Sequence, residues 1–237
     1  MPDSAHLVGG GVRDALLGHR ASYLDLDFVV AKDPVDIAQE IAQRYHAGYV
    51  LLDASRQIAR VVFKEVTADF ALQVGNSIED DLHRRDFAIN AIAYSPHHRQ
   101  VIDPLNGCHD LQAGVIRMIH AENLKDDPLR LLRAYRQASQ LNFILDDSTR
   151  EAIRRYSPLL KRVAAERVRV ELGYLLSSPN GTVWLERMYA DGLLDHFFPH
   201  LAPENVARIR ALDQAVLTLD SAYPDLVQLL YRPLSDR

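Results

Sequence analysis

Asp25 and Asp27 stand two residues apart in the apolar segment LDLDFVV at residues 24–30. Alternate residues of a β-strand point to the same face, so a strand here would present the two carboxylates side by side. Neighbouring carboxylates repel each other unless a cation lies between them, and Mg²⁺ binds one or two carboxylates together with substrate phosphates. The pair therefore predicts a metal site for phosphoryl or nucleotidyl transfer, with a solvated strand edge as the alternative.

A run of three glycines, Gly9, Gly10 and Gly11, precedes a short helix-like segment that begins near Val12. A glycine-rich turn allows backbone N–H groups to approach a phosphate, and a helix N-terminus favours the same anion. The spacing matches neither the Rossmann fingerprint nor the P-loop, and a plain turn is the alternative. Together with the acidic strand, this turn predicts a site that binds nucleotide phosphates.

The elements that would position these residues follow from hydrophobic periodicity and turn signals. Strands are predicted at residues 5–8, 24–30, 49–52, 59–63, 65–72 and 101–102. Helices are predicted at 12–18 and, with Asp33 as N-cap and Pro34 at the first position, at 34–45. Because no βαβ unit repeats, we expect a mixed sheet with a few helices over it.

The character of the chain changes after about Met118, where the strong strand signals end. Helical periodicity predicts helices at residues 126–140, 148–156, 165–176 and 181–191. A domain boundary is therefore expected near residue 119. This second half also contains a basic segment that could contact phosphates or form the solvated face of helices. Its residues are Arg150, Arg154, Arg155, Lys161, Arg162, Arg167 and Arg169.

The composition is that of an ordinary globular protein, with 237 residues of which 25% are charged and 48% apolar. The single cysteine, Cys108, excludes a disulfide framework and a cysteine zinc site. No apolar run is long enough to span a membrane and the N-terminus lacks a signal pattern, so we expect a cytoplasmic protein without a membrane partner. The net charge of −5 gives no indication of nucleic-acid binding by itself.

A helix start at Ser77 runs into the sequence RRDFAINA at residues 84–91, which continues with an apolar helical pattern. Adjacent arginines such as Arg84 and Arg85 bind phosphates through their forked donors. Asn90 could donate to a sugar hydroxyl or to the backbone. The alternative interpretation is a cluster of ion pairs at a helix N-terminus.

Three further aspartates are candidates. Asp69, on the predicted strand 65–72, could be a third metal carboxylate, a general base for an incoming hydroxyl, or an exposed strand residue. Asp103 precedes a proline and is expected to fix a turn. Asp127, Arg130 and Ala134 would share one helix face, where an acceptor and a donor together could read a nucleobase edge. The alternative there is an ordinary intrahelical ion pair.

The order of these motifs resembles that of the class II tRNA nucleotidyltransferases, the CCA-adding enzymes, and of the bacterial poly(A) polymerases related to them, over residues 6–200. VGGGVRD at 8–14 matches V-G-G-x-V-R-D, DLD at 25–27 matches D-x-D, and RRDFAIN at 84–90 matches R-R-D-F-T-x-N. DPLNGCHD at 103–110 matches D-P-x-x-G-x-x-D, DDPLR at 126–130 matches E-D-x-x-R, and Glu166-Arg167 with Glu171 resembles the last, helix-stabilising motif. Each motif alone is weak, but their order and spacing together are specific.

The resemblance implies an α+β fold with three parts. A nucleotidyltransferase-type mixed β-sheet head would occupy residues 1–118 and hold the catalytic site. An all-α neck at 119–178 would carry the amino-acid template that pairs with the incoming base. Residues 179–237 would start a partial helical body, as in a truncated chain.

The implied reaction is attack of a tRNA 3′-hydroxyl on the α-phosphate of CTP or ATP, with Mg²⁺ held by Asp25 and Asp27 and with Asp69 as a third catalytic residue. The implied partner is the tRNA 3′ end, and the oligomeric state is left open. Asp127 would accept from the exocyclic amine of C or A, and Arg130 would donate to the ring. The implied nucleotide-binding residues are Gly9, Gly10, Arg13, Arg84, Arg85, Asp86, Asn90, Asp127, Arg130, Arg133 and Arg136.

The chain departs from the family pattern in ways that bear on its activity. Asp126 replaces a glutamate, Ala88 replaces a threonine and Gln137 replaces a phenylalanine. Enzymes that add the terminal A carry a flexible polar loop between the D-x-D and R-R-D motifs. Here the short stretch ALQVGN at residues 71–76 stands in its place, and the arginine expected soon after the strand of Asp69 is absent. This pattern resembles enzymes that add only CC.

Three alternative functions remain open. A poly(A) polymerase would carry a basic-aromatic signature near residue 56, where this chain has SRQIA at 55–59. A non-catalytic RNA-binding or nucleotide-binding remnant would not need two like charges at Asp25 and Asp27. A small-molecule nucleotidyltransferase would share the head chemistry but would not need the Asp127–Arg130 template.

Overall fold

A computed structural model describes residues 4–19 and 23–223. The chain divides into two compact units, one formed by residues 1–127 with 144–150 and the other by residues 128–143 with 151–237. The division of the chain into head, neck and body at residues 118 and 178 stays a prediction.

The first unit is built on a seven-stranded mixed sheet, in agreement with the expected α+β class. Its strands are β1 (His6–Val8), β2 (Leu24–Val30), β3 (Gly48–Asp53), β4 (Ile58–Val62), β5 (Val66–Leu72), β6 (Ala93–Ser95) and β7 (Gln100–Ile102). They lie in the order β3-β4-β5-β2-β1-β6-β7. All neighbours are antiparallel except β2 and β5, which run parallel.

Helices cover the two faces of this sheet. The first unit contains α1 (Gly10–Leu16), α2 (Pro34–Tyr45), α3 (Ile78–His83), a 3-10 turn (Ala88–Asn90), α4 (Gly107–Ala113) and α5 (Ala121–Asp126). Ala38 and Ala42 of α2 pack on a face that includes Phe28, whose ring stacks on Phe70 at 5.2 Å between centroids. On the other face, Leu82 of α3 belongs to a second apolar cluster. The alternation along β2 therefore places Phe28 under α2 and leaves the aspartates for the opposite face.

The second unit is helical among its described residues. It contains α6 (Leu129–Leu141), the end of α7 (Asp147–Tyr156), a 3-10 turn (Ser157–Arg162), α8 (Ala165–Leu176), α9 (Gly181–Ala190) and α10 (Pro203–Ala222). Tyr135 of α6 is fully buried, meets the Trp184 ring edge-on at 6.0 Å, and donates its hydroxyl to Asp191 at 2.5 Å. No helix of the described part of the chain is long and apolar enough to cross a bilayer.

Several predicted elements are wrong in detail. The expected helix through residues 84–91 does not form, because α3 ends at His83 and the chain then crosses the core as a 3-10 turn followed by β6. Backbone contacts hold this crossing in place, since Phe87 bridges Met118 and Ala88 N–H donates to the Arg117 carbonyl at 3.0 Å. Asp33 begins α2 in a left-handed conformation without a side-chain cap.

The predicted helix at 126–140 is also interrupted. α5 ends at Asp126, and Asp127 is extended with φ −130° and ψ 93° before Pro128 starts the next helix. A proline disfavours helical backbone at the preceding residue, which explains the break. Asp127 therefore does not share a helix face with Arg130, and that prediction is wrong. The expected end of strands near Met118 is wrong too, because β8 (Val115–Ile116) pairs with β9 (Ile144–Leu145).

Candidate active site

The two aspartates of β2 lie beside β5 on the same sheet. The parallel register places Asp25 next to Thr67 and Asp27 next to Asp69. The Thr67 hydroxyl donates to Asp25 Oδ1 and orients that carboxylate. A cleft of about 540 Å³ opens here and is lined by Gly10 and by both aspartates of β2. The strand thus presents two oriented carboxylates to a space that can receive a substrate.

Gly9 brings the glycine turn against this acidic strand. Its φ of +74° and ψ of −144° form a conformation that is essentially restricted to glycine. A Cβ at this position would lie 3.2 Å from Asp27 Oδ2 and 3.6 Å from Arg85 Nη1. The Asp27 carboxylate of the D-x-D motif and the Arg85 guanidinium of the RRD motif therefore both lie where a side chain on residue 9 would project.

The electrostatic environment of Asp27 favours a bound cation. The pKa of Asp27 is raised, first by loss of solvation within the cleft, although the residue keeps access to solvent, and then by the charge of Asp69. Asp25 raises this pKa further, and Arg85 and Arg60 oppose the shift. A carboxylate that is difficult to ionise among like charges is the kind of group that a divalent cation stabilises in its charged form.

Asp69 has a partner that the sequence analysis did not anticipate. Arg60, its cross-strand neighbour on β4, donates from Nε to Oδ1 at 2.7 Å and from Nη2 to Oδ2 at 2.8 Å. This forked pair raises the pKa of Arg60, mainly through the hydrogen bond to Asp69. Asp69 lies beside Asp27 but is engaged by a guanidinium, and its catalytic role stays a prediction. No sequence pattern linked residues 60 and 69.

Arg13 is oriented by a chain of side chains from the RRDFAIN segment. Asp86 Oδ1 accepts from Asn90 Nδ2 at 2.9 Å, and Asn90 Oδ1 accepts from Arg13 Nη1 at 2.9 Å. Asp86 and Asn90 are both 6% exposed, and Arg13 also donates from Nε to Asp14 at 2.8 Å. Asp86 and Asn90 therefore connect two predicted nucleotide-binding segments and hold the Arg13 guanidinium in place.

Arg84 and Arg85 share one buried carboxylate, that of Asp81. Arg84 donates from Nε and Nη2 to Oδ1 at 3.0 and 2.9 Å, and Arg85 donates from Nη2 to Oδ2 at 2.9 Å. Burial alone would raise the pKa of Asp81, but Arg85 and Arg84 outweigh it and the pKa is lowered. The predicted ion-pair cluster exists, but it lies at the end of α3 and its carboxylate was not singled out. The i, i+3 and i, i+4 spacing from residue 81 was the available signal.

The donor set of this region fits a divalent cation shared with a substrate. Within residues 4–19 and 23–223 no three acidic, histidine or cysteine side chains converge as a complete metal cage. Asp25 and Asp27 supply two carboxylates, and Mg²⁺ commonly binds through such a pair together with phosphate oxygens. Arg85 Nε is buried and has no hydrogen-bond partner among the described residues, whereas Nη1 of the same guanidinium lies by Gly9.

Comparisons with known proteins identify the proteins that this chain resembles. Residues 5–117 match the poly A polymerase head domain, and residues 142–205 match the probable RNA and SrmB-binding site of polymerase A. The chain is 53% identical over 219 residues to the CC-adding tRNA nucleotidyltransferase of Synechocystis sp., covering 92% of this chain and 53% of that protein. It is 41% identical over 205 residues to the A-adding tRNA nucleotidyltransferase of Deinococcus radiodurans, covering 84% and 46%.

A solved structure gives the same result at the level of the fold. The crystal structure of a tRNA nucleotidyltransferase complexed with a primer tRNA and an incoming ATP analog has a TM-score of 0.82 and 30% identity, covering 93% of this chain and 67% of that one. This chain belongs to the tRNA nucleotidyltransferase and poly(A) polymerase family. It spans about half the length of the curated relatives it matches.

The remaining family motifs are structural where the structure describes their contacts. Asp103 accepts from the backbone N–H groups of Gly107 at 2.7 Å and Cys108 at 2.9 Å, and so fixes the predicted turn. Asp110 is buried and accepts from Arg117 Nε at 3.1 Å. These contacts fold the D-P-x-x-G-x-x-D motif onto the start of α4 and explain its acidic residues without a catalytic role.

The predicted base-template and nucleotide-binding residues of this part of the chain are divided between the two units. Asp127 belongs to the first unit, whereas Arg130, Arg133 and Arg136 lie on α6 in the second. Arg136 Nε donates to buried Glu171 at 2.6 Å, and Arg133 Nη1 lies 4.0 Å from the same carboxylate. Glu171 therefore stabilises α6 against α8, as expected for the last motif. The template role of Asp127 and Arg130, and nucleotide binding by Arg133 and Arg136, stay predictions.

Proposed function

We propose that this chain contains the catalytic part of a tRNA nucleotidyltransferase that adds C and/or A, from CTP or ATP, to the tRNA 3′ end, and that it leans to addition of CC. The observation that carries the proposal is the meeting of Asp27, Gly9 and Arg85 beside the Asp25 carboxylate. A carboxylate pair, a glycine turn and an arginine are the groups that a metal-bound triphosphate requires. The activity would be cytoplasmic, where CTP and tRNA meet.

The proposed roles follow from these positions. Asp25 and Asp27 would hold Mg²⁺, which when bound neutralises phosphate charge and favours ionisation of the attacking hydroxyl. Arg85 would bind the triphosphate beside the Gly9 backbone, and Arg13, fixed by Asn90, would contact it from α1. The primer 3′-oxygen forms a bond to the α-phosphorus, the bond to the β-phosphate oxygen breaks, pyrophosphate leaves, and the hydroxyl proton passes to solvent.

The preference for CC is supported by the segment between β5 and α3. Asp80 Oδ2 accepts from the Asn76 and Ser77 N–H groups at 2.8 and 3.2 Å, and Asp81 Oδ1 accepts from Val74 N–H at 3.2 Å. The stretch is thus a hydrogen-bonded turn on the start of α3. A short anchored turn lacks the reach of the polar loop that A-adding relatives carry, which supports addition of C alone.

Nucleotide choice tests this proposal. The purified protein would be offered CTP, ATP, GTP and UTP separately with Mg²⁺ and three tRNA acceptors ending in the discriminator base, in C or in CC. We expect C on the first two acceptors and no A on the third. A on the CC acceptor would contradict the CC preference, and long A tails on any RNA would favour a poly(A) polymerase. Binding of CTP without any incorporation would favour a non-catalytic remnant.

A further inference from the structure

We propose that Asp81 is a positioning residue that directs the Arg85 guanidinium toward the phosphates of the bound nucleotide. The inference rests on the proposed function, because it assumes that Arg85 contacts a triphosphate. Asp81 lies before the RRDFAIN segment and is not one of the residues of that motif. It nevertheless orients the two arginines with which the segment begins, Arg84 and Arg85.

The burial of Asp81 is the first observation. Its side chain is 0% exposed, and both carboxylate oxygens are used, Oδ1 by Arg84 and Oδ2 by Arg85. Removing a carboxylate from water is unfavourable unless charged donors replace the lost hydration. Two guanidinium groups do so here, so Asp81 and the two arginines form one ion-paired cluster that keeps a net positive charge.

The position of Arg85 is the second observation. Its side chain is 20% exposed and is fixed at Nη2 by Asp81, while Nη1 is the atom next to Gly9. Nε is buried without a hydrogen-bond partner in the described part of the chain. Because Asp81 holds the planar guanidinium at Nη2, it directs the neighbouring Nη1 to Gly9, beside the Asp27 carboxylate.

The backbone of Arg85 is held independently by Asn123 at the start of α5. Asn123 Nδ2 donates to the His83 carbonyl at 2.7 Å and to the Arg85 carbonyl at 2.8 Å. The Arg85 main chain and side chain are therefore fixed by different residues. Asn123 provides a second route to disturb the same guanidinium without removing a buried charge.

The alternative is that Asp81 only stabilises the fold, and the two roles differ in what they do to binding. A stabilising residue would alter the melting temperature and affect all ligands alike. A residue that directs Arg85 at the outer phosphates would affect CTP more strongly than CMP. It would also lose its effect once the Arg85 guanidinium is removed, as a double-mutant cycle reports.

The test measures CTP and CMP binding by calorimetry, with Mg²⁺ and no RNA, for the wild type, Asp81→Asn, Arg85→Ala and the double variant. Asp80→Asn is the matched control, because in the described part of the chain Asp80 anchors the same turn through Asn76 and Ser77, whereas both arginines bond to Asp81. We expect Asp81→Asn to weaken CTP binding about tenfold, as loss of a charge-assisted contact does, and CMP binding less than twofold. Asp80→Asn should change neither.

The outcomes separate this inference from the proposed function. Failure of the wild type to bind CTP overturns both. CTP binding by the wild type that Asp81→Asn leaves unchanged, or equal losses for CTP and CMP, overturns the positioning role alone. An undiminished effect of Asp81→Asn in the Arg85→Ala background also overturns it. If Asp81→Asn does not fold, Asp81→Glu, which keeps the charge but displaces it from Arg85 Nη2, replaces it in the same cycle, and the same selective loss for CTP is expected.

Discussion

Replacing Gly9 by alanine should damage the site and the fold by different amounts. Its φ of +74° and ψ of −144° lie in a region where a non-glycine residue carries roughly 1–3 kcal/mol of strain. For a chain of this size each kcal/mol lowers the melting temperature by about 2–4 °C, so we expect a decrease of roughly 2–12 °C.

The effect on activity comes from the direction of the added methyl group. A Cβ at residue 9 would lie 3.2 Å from Asp27 Oδ2, which is too close, and 3.6 Å from Arg85 Nη1. The Asp27 carboxylate must then shift by a few tenths of an ångström, and small misplacements at a reacting centre lower rates steeply. We expect kcat for CMP incorporation to fall by at least about tenfold in Gly9→Ala.

Gly18→Ala provides the matched control. Gly18 has φ +72°, almost the same as Gly9, but a Cβ there would meet no atom within 4 Å. Thermal melts and steady-state incorporation of CMP would be measured for both variants. Both should lose stability, and only Gly9→Ala should lose kcat. If Gly9→Ala retains the kcat of Gly18→Ala, the proposed closeness of Gly9, Asp27 and Arg85 at the reacting centre is refuted.

Three further predictions follow from the same contacts. Asp27→Asn should abolish incorporation yet raise the melting temperature in metal-free buffer at neutral pH. The raised pKa of Asp27 means that its ionised form destabilises the folded state. The gain should therefore be full above that pKa, decrease as the pH falls below it, and vanish below the ordinary pKa of an aspartate; a gain independent of pH would contradict it. Arg60→Gln should strengthen Mn²⁺ binding, measured by electron paramagnetic resonance, because unpaired Asp69 would add negative charge beside Asp27; weaker binding would contradict this. Arg130→Ala should reduce discrimination between CTP and UTP in single-nucleotide incorporation before it reduces the rate, and unchanged discrimination would contradict the template assignment.

The strands and the carboxylate pair were predictable because their signals are local. The alternation in LDLDFVV is sufficient to place Asp25 and Asp27 on one strand, and β2 spans residues 24–30 as expected. The glycine run was visible for the same reason, but only Gly9 precedes α1, since Gly10 and Gly11 form the first turn of that helix rather than a turn before it. The order of the strands in the sheet could not be predicted, because it depends on contacts between distant segments. The parallel pairing of β2 with β5 brings Asp69 next to Asp27, although more than forty residues separate them.

The missed residues all act through contacts between distant segments or through burial. Arg60 holds Asp69 across two strands, and Asn123 holds the Arg85 backbone from α5. The RRDFAIN segment looked helical because its apolar residues are closely spaced. In the structure, consecutive residues of the segment are buried, whereas an amphipathic helix would bury only one of its faces. The helix through Asp127 was broken by Pro128, a signal that was present in the sequence and outweighed by periodicity.

The central claim is that the Asp25–Asp27 pair makes this chain a nucleotidyltransferase for tRNA 3′ ends. The most direct measurement is the length of product formed from radiolabelled CTP on a tRNA that ends at the discriminator base, with the wild type beside Asp27→Asn and Gly18→Ala. We expect the wild type and Gly18→Ala to add two nucleotides and stop, and Asp27→Asn to add none. Extension by Asp27→Asn at the wild-type rate, or no extension by the wild type where the Synechocystis relative extends the same tRNA, would contradict the claim.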